Sequence, residues 1–339
     1  MSAIAERIPV NVITGFLGSG KTTLLKRLLT LPELEHTAVL VNEIGEVGLD
    51  HHLLRQVDER TVLMRNGCLC CSIRGDLAEA LRGLLSQSQR EEITSVRRVV
   101  VETSGLADPV PIAYTLLTEP VLQHHFRMGT VVTTVDAVNG SGQLARYPES
   151  VKQAAIADRL VITKTDLAEP GRVATLQRKL TRINPSAEML LAPQEAGDAA
   201  QILIRDAYTE QGREREITGW LEGAARGASS PAEQSHGGIT TVTLSFPEAL
   251  DWSAFGVWLT LLLHCHGQRV LRVKGLLNVR GESTPVVIQA VQHIVHPPTH
   301  LEAWPDDERI SRLVFIVDGL DGECLRNSLD TFNALASRL

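Results

Sequence analysis

The sequence predicts an α/β protein, a phosphate-loop NTPase domain with a mostly parallel sheet followed by a smaller α+β domain. Three observations carry this prediction. The run Gly15-Phe16-Leu17-Gly18-Ser19-Gly20-Lys21-Thr22 directly follows the apolar stretch Val10-Asn11-Val12-Ile13 and leads into Thr23-Leu24-Leu25-Lys26-Arg27-Leu28-Leu29. That is the strand, loop and helix context a phosphate-binding loop requires. Apolar β-branched runs then alternate with helical patterns as far as residue 191, the rhythm of a parallel sheet. Past a stretch containing Gly, Ser, Pro and Gln, the rhythm changes.

These features place a first domain at residues 1–222, a linker at 223–238 and a second domain at 239–339. In the first domain, strands are expected at 10–13, 38–41, 98–101, 130–135, 160–162 and 188–191, with helices between them. Ligands of such sheets sit at the carboxyl ends of the strands, so motifs there carry the functional reading. In the second domain the pattern reads strand 239–246, helix 251–264, strands 270–279, 286–295 and 313–317, and a closing helix 323–335. No motif of known catalytic mechanics lies in this part, and no internal repeat is evident.

Composition excludes several classes. A chain of 339 residues with 43% hydrophobic and 22% charged residues is an ordinary globular protein, long enough for two domains. No apolar run approaches the ~20 residues needed to span a bilayer, and the first nine residues lack an apolar signal core, so a cytoplasmic protein is expected. A net charge of −7 argues against nucleic acid as the main partner, since phosphate backbones are held by clustered Lys and Arg. Three of the five cysteines, Cys68, Cys70 and Cys71, crowd into one short run, which suits a metal or redox site better than a disulfide framework.

The motifs at the strand ends describe a nucleotide switch. Gly15, Gly18 and Gly20 let successive N–H groups curl around phosphates, with Ser19 and Thr23 completing the contact. Lys21 brings a point charge to the terminal phosphates, and the Thr22 hydroxyl can hold Mg²⁺. The run Val99-Val100-Val101-Glu102-Thr103-Ser104-Gly105 ends a strand in an acid where a carboxylate belongs beside the Mg²⁺ shell; Gly105 can offer its N–H to a γ-phosphate. Lys21, Thr22 and Glu102 are therefore the candidate catalytic residues. In Leu160-Val161-Ile162-Thr163-Lys164-Thr165-Asp166, the last carboxylate can accept from guanine N1–H and the exocyclic amine, whereas adenine offers an acceptor at N1 and no such amine. Between these motifs, the thiolates of Asn66-Gly67-Cys68-Leu69-Cys70-Cys71 can converge on one soft or borderline ion. Tetrahedral Zn²⁺ held by three sulfurs would keep a fourth position for an exchangeable ligand. The same thiols could also be small buried hydrophobes.

Taken together, the loop Gly15 to Thr22, Asn42-Glu43-Ile44-Gly45-Glu46-Val47-Gly48, the cysteine run, Glu102-Thr103-Ser104-Gly105-Leu106-Ala107-Asp108-Pro109 and Thr163 to Asp166 resemble the CobW-type P-loop GTPases in content and order. Leu271-Arg272-Val273-Lys274-Gly275-Leu276-Leu277 and Trp304-Pro305 extend the resemblance to that family's C-terminal domain. The resemblance implies a GTP-hydrolysing metallochaperone with Cys68, Cys70 and Cys71 as ligands of Zn²⁺, or of Co²⁺. It places Glu43 in a switch segment near the metal or Mg²⁺, with Thr22 on the Mg²⁺. A client metalloprotein is the implied partner, and a homo-oligomer is compatible with it. Two departures stand out. Thr163 occupies a position where the motif usually has Asn, and the linker holds a lone His236 where many relatives carry a His-rich tract.

Three functional classes follow: a GTPase that delivers metal to a client, zinc or cobalt for cobalamin synthesis; a metal-binding regulator that barely turns over; and a small-molecule kinase, which would leave the cysteines unexplained. No water-positioning Gln or arginine finger is evident in the motifs, so slow hydrolysis is expected. His264-Cys265-His266 reads as imidazoles meeting a helix C-terminus, His51-His52 and His124-His125 as solvated pairs, and Cys324 as packing.

Overall fold

The computed structural model describes residues 7–41, 73–91, 93, 95–192, 199–204, 217, 219, 238–306 and 308–336. These fall into two compact units, one within 1–178 and 187–213, the other within 179–186 and 214–339. The stretch expected to be a linker lies almost wholly outside the described residues. Among the described residues no helix is long and apolar enough to cross a membrane.

The first unit is built on six parallel strands, β1 (Ile8–Thr14), β2 (Thr37–Val41), β3 (Arg98–Glu102), β4 (Phe126–Asp136), β5 (Arg159–Thr163) and β6 (Glu188–Leu191), in the order β2-β3-β1-β4-β5-β6. All six expected strands are present. β2 and β5 are buried at every residue, which is why they read as continuous apolar runs, while the edge strand β6 is partly exposed. The crossovers carry α1 (Lys21–Leu28), α2 (Ile73–Gln89), α3 (Val110–Thr118), α4 (Leu122–His125), α5 (Gly140–Arg146), α6 (Pro148–Ile156) and α7 (Pro170–Ile183), and α8 (Gln201–Ile204) follows β6. Leu24, Leu25 and Leu28 of α1 pack with Ile13, Val100, Val132 and Val161 of the sheet and with Ile202 and Leu203 of α8. Spacing of three and four residues places the α1 leucines on one face.

One irregularity seats β4. The register with β1 slips between Val10 and Val12, and the buried Asn11 side chain fills the gap, accepting from Thr130 N at 2.8 Å. A side chain at residue 129 would place its Cβ 2.4 Å from Asn11 Oδ1, so Gly129 is required there.

The second unit is an antiparallel sheet of β7 (Ile239–Phe246), β8 (Val270–Leu277), β9 (Val286–Val291), β10 (Ile294–Val295) and β12 (Ser311–Asp318) in the order β10-β9-β8-β12-β7, with β11 (Thr299–His300) paired to β9. Helices α9 (Trp252–His266) and α10 (Gly322–Ala336) bury Phe255, Trp258, Leu259, Leu263, Leu325 and Leu329 against Val273, Phe315 and Val317. Asp251 caps α9, accepting from Ala254 N at 2.9 Å. The expected strand over 286–295 is instead a hairpin, β9 and β10, because Gln292 turns left-handed at φ 51° and Ile294 folds back to pair with Val291. The turn residues Gln292 and His293 include none of the Gly, Asn or Pro that marks a turn, so the sequence hides it.

Phe315 is fully buried and meets Trp258 edge to face at 6.1 Å. Phe315→Ala is expected to destabilise this unit by about 3–5 kcal/mol, read from urea unfolding. A loss under about 1 kcal/mol would place this ring outside the core.

Candidate nucleotide site

At the carboxyl edge of the first sheet the loop between β1 and α1 is stitched to the neighbouring strands by hydroxyls. Thr134, on β4, lies with its Oγ1 2.6 Å from Ser19 Oγ, and donates to Thr14 O at 3.2 Å. Thr163, at the end of β5, donates to Ser19 O at 2.6 Å. Thr103, just past β3, donates to Thr14 Oγ1 at 2.8 Å. The loop also leaves no space for side chains. A Cβ at Gly15, whose φ is 137°, would lie 2.4 Å from Thr134 O, and a Cβ at Gly105 would lie 2.6 Å from Leu17 N. The 104–108 turn therefore rests directly on the phosphate loop.

Helix α1 begins on Gly20, in the left-handed region at φ 91°, with no side-chain cap and no acid in its first turn. Its N-terminal N–H groups and positive dipole end suit an anion. Lys21, largely buried, donates to Gly15 O at 2.8 Å and Phe16 O at 3.1 Å, which holds its ammonium over the loop. Phe16 is in turn stacked on Tyr147 at 4.6 Å. Thr22 Oγ1 donates to Glu102 Oε1 at 2.6 Å, joining two candidate residues 80 positions apart. Glu102 is buried, and the neighbouring Ser104 hydroxyl is also buried, with no hydrogen-bond partner among the described residues. The Glu102 carboxylate with the Thr22 hydroxyl bonded to it is a hard-oxygen pair that fits a hydrated Mg²⁺ with its phosphate.

Two strands further along, the base-reading segment is positioned by a residue the sequence reading did not single out. Asp136, at the end of β4, accepts from Val138 N at 2.7 Å, Asn139 N at 3.1 Å, Asn139 Nδ2 at 3.0 Å and Lys164 Nζ at 2.8 Å. Burial pushes its carboxyl up, but the Lys164 ammonium and the Asn139 and Val138 donors outweigh this and hold it below the ordinary carboxylate range. Lys164 itself turns left-handed at φ 55°, and Asp166 beyond it is exposed and makes no hydrogen bond among the described residues. Its two oxygens are thus free to accept. The signal for Asp136 was present: an acid closing a buried β-branched strand, the same signature that singles out Glu102.

The loop residues, Glu102, Gly105 and Thr163 converge on this edge; Thr23 is exposed on α1. Asp108, two residues before α3, accepts from Val110 N at 2.9 Å. Glu43, Cys68, Cys70 and Cys71 lie outside the described residues, as do Glu46 and His51-His52. Among the described residues no three His, Cys, Asp or Glu side chains are placed to hold a metal. His124 and His125 are exposed, and His264 and His266 end α9, as a helix C-terminus favours. Cys324 is exposed and not packed in the core; its thiol donates to Asp321, whose hydrogen bond and charge raise the thiol above its ordinary range.

Residues 9–191 match the model of the CobW/HypB/UreG nucleotide-binding domain, and residues 239–333 match that of the cobalamin synthesis protein cobW C-terminal domain. The chain is 30% identical over 319 residues to the zinc chaperone YjiA of Escherichia coli, covering 94% of this chain and 96% of that protein. It is 25% identical over 361 residues to the zinc chaperone CobW of Pseudomonas aeruginosa, covering 96% and 91%. The crystal structure of the Zn(II)-bound YjiA GTPase superposes with a TM-score of 0.71 at 26% identity, covering 96% of this chain and 99% of that one.

Asp136 tests how the base-reading segment is held. Because its carboxyl is lowered in the folded state, its contribution is complete above the ordinary carboxylate pKa of about 4 and is lost as pH falls through and below it. In urea unfolding, Asp136→Asn is expected to be less stable than the parent at pH 7, with the gap narrowing as the pH falls below about 4. A gap of constant size down to pH 3 would exclude the ionised carboxylate as its source.

Proposed function

The chain belongs to the CobW/HypB/UreG family and carries the CobW C-terminal domain, and from that membership we propose that it is a GTP-hydrolysing metallochaperone. Its cargo is zinc, held at Cys68, Cys70 and Cys71 and released to a client metalloprotein according to the bound nucleotide. Relatives named zinc chaperones support the choice of metal. The observation that carries the enzymatic part is the 2.6 Å bond from Thr22 to Glu102 beneath an uncapped helix start.

In this reading the β- and γ-phosphates lie over Gly15 to Thr22. The N-terminus of α1 and the Lys21 ammonium meet their charge, and the Gly105 N–H meets the γ-phosphate. Thr22 and Glu102 would hold Mg²⁺, which supplies charge neutralisation between the phosphates. Asp166 accepts from guanine N1–H and the exocyclic amine. Thr163 spends its hydroxyl on Ser19 O. Its role is therefore to fix the loop, and selection of guanine rests on Asp166.

Two measurements test this. Asp166→Asn is expected to shift preference from GTP toward XTP, because xanthine presents a carbonyl where guanine has its amine. ATP competing as well as GTP against the unaltered protein would refute the assignment. The nucleotide and zinc must also be coupled. Zinc titrated into the protein with GDP and with a non-hydrolysable GTP analogue is expected to bind with affinities differing about 5- to 150-fold, and the reverse titration must return the same factor. Equal zinc affinities in the two states would remove the delivery mechanism. Cys68→Ser, Cys70→Ser or Cys71→Ser should each lower zinc affinity severely and Cys324→Ser should not, since a hydroxyl is a poor soft-metal ligand.

A further inference from the structure

Helix α6 lies outside every motif that recognises the nucleotide, yet its Gln153 reaches the γ-phosphate side of the site. The side chain is 2% exposed, and Nε2 donates to both Gly105 O and Ala107 O, each at 3.2 Å. Two carbonyl acceptors fix the orientation of the amide, since its oxygen there would face two lone-pair groups. The Oε1 atom left on the other side is buried with no partner among the described residues. Burying an unsatisfied oxygen is costly, and an apolar side chain of similar size would avoid that cost if packing were all this position required. The backbone of the same residue is anchored too: Thr133 Oγ1, on β4, donates to Gln153 O at 2.8 Å. Thr134, the next residue on that strand, bonds the phosphate loop.

We propose that Gln153 is a positioning residue for the γ-phosphate, clamping the carbonyls of Gly105 and Ala107 and so fixing the turn whose Gly105 N–H is aimed at the third phosphate. The turn is pinned on two sides. Leu17 of the phosphate loop closes one, where Gly105 has no room for a Cβ, and Gln153 closes the other. Gln153 touches neither substrate nor Mg²⁺; it acts through the turn it holds. Loss of the clamp therefore weakens a triphosphate, whose third phosphate meets the 105 N–H, and leaves a diphosphate bound by the loop alone.

The inference rests on the reading of this edge as a GTP site, and the test separates the two. In the full-length protein, affinities for GDP and for a non-hydrolysable GTP analogue are measured for the parent and for Gln153→Leu, which keeps the volume and removes both donors. The expected result is unchanged GDP binding, with analogue affinity lower about tenfold, the size of one lost hydrogen bond. Gln153→Asn, whose shorter amide cannot reach both carbonyls, gives the same shift in smaller measure and serves if the leucine variant fails to fold. A ratio unmoved in both Gln153 variants, or equal loss of both nucleotides, overturns the positioning role. Absence of GDP binding in the parent would instead overturn the nucleotide site itself.

Discussion

The hydroxyl stitching of the phosphate loop to the sheet edge is the constraint on which the rest of the site depends. A loop with glycine at 15, 18 and 20 has little conformational preference of its own, and ordering it costs backbone entropy at each glycine. Thr134, Thr163 and Thr103 supply bonds from three different strands, to Ser19 and Thr14, and these fix where the N–H groups point before any ligand arrives. All three threonines are buried. Each bond is made away from water, where leaving its partner unmade would cost about 1–3 kcal/mol. The loop is thus preorganised by side chains that never touch phosphate.

Charge is distributed along the same edge by burial. Lys21 is held by loop carbonyls, Glu102 is tied to the Thr22 hydroxyl, and Asp136 accepts from four donors, the Lys164 ammonium among them. The solvent-facing exception is Asp166, which is exposed. Thr163 shows how a departure from the usual motif is absorbed. Its hydroxyl joins β5 to the loop at Ser19, so the segment stays anchored.

The second unit is held by its own core. Phe255 and Trp258 of α9 lie against Phe315 on one face of an antiparallel sheet, with α9 and α10 supplying the cover. Its exposed thiols, Cys265 and Cys324, belong to no cluster of metal-capable side chains among the described residues. The Asp321 carboxylate keeps Cys324 protonated, which disfavours it as a thiolate ligand.

The sequence by itself determined the six parallel strands, the loop and its helix, and the acid at the end of β3, because each is written in contiguous residues: β-branched runs for buried strands, glycines for the loop, a charge closing an apolar stretch. It also carried the family, through the order of motifs that no single one specifies. Only the tertiary structure decided that Asp136 holds Lys164, that Thr163 bonds the loop, that Gln153 reaches the 104–108 turn and that residues 286–295 form a hairpin. Those facts join residues 28 to 144 positions apart or depend on one left-handed residue, Gln292, in a turn without Gly, Asn or Pro. Local pattern carries periodicity and burial, whereas a side chain's partner across a crossover is set by strand order and register, which appear only once the sheet is assembled.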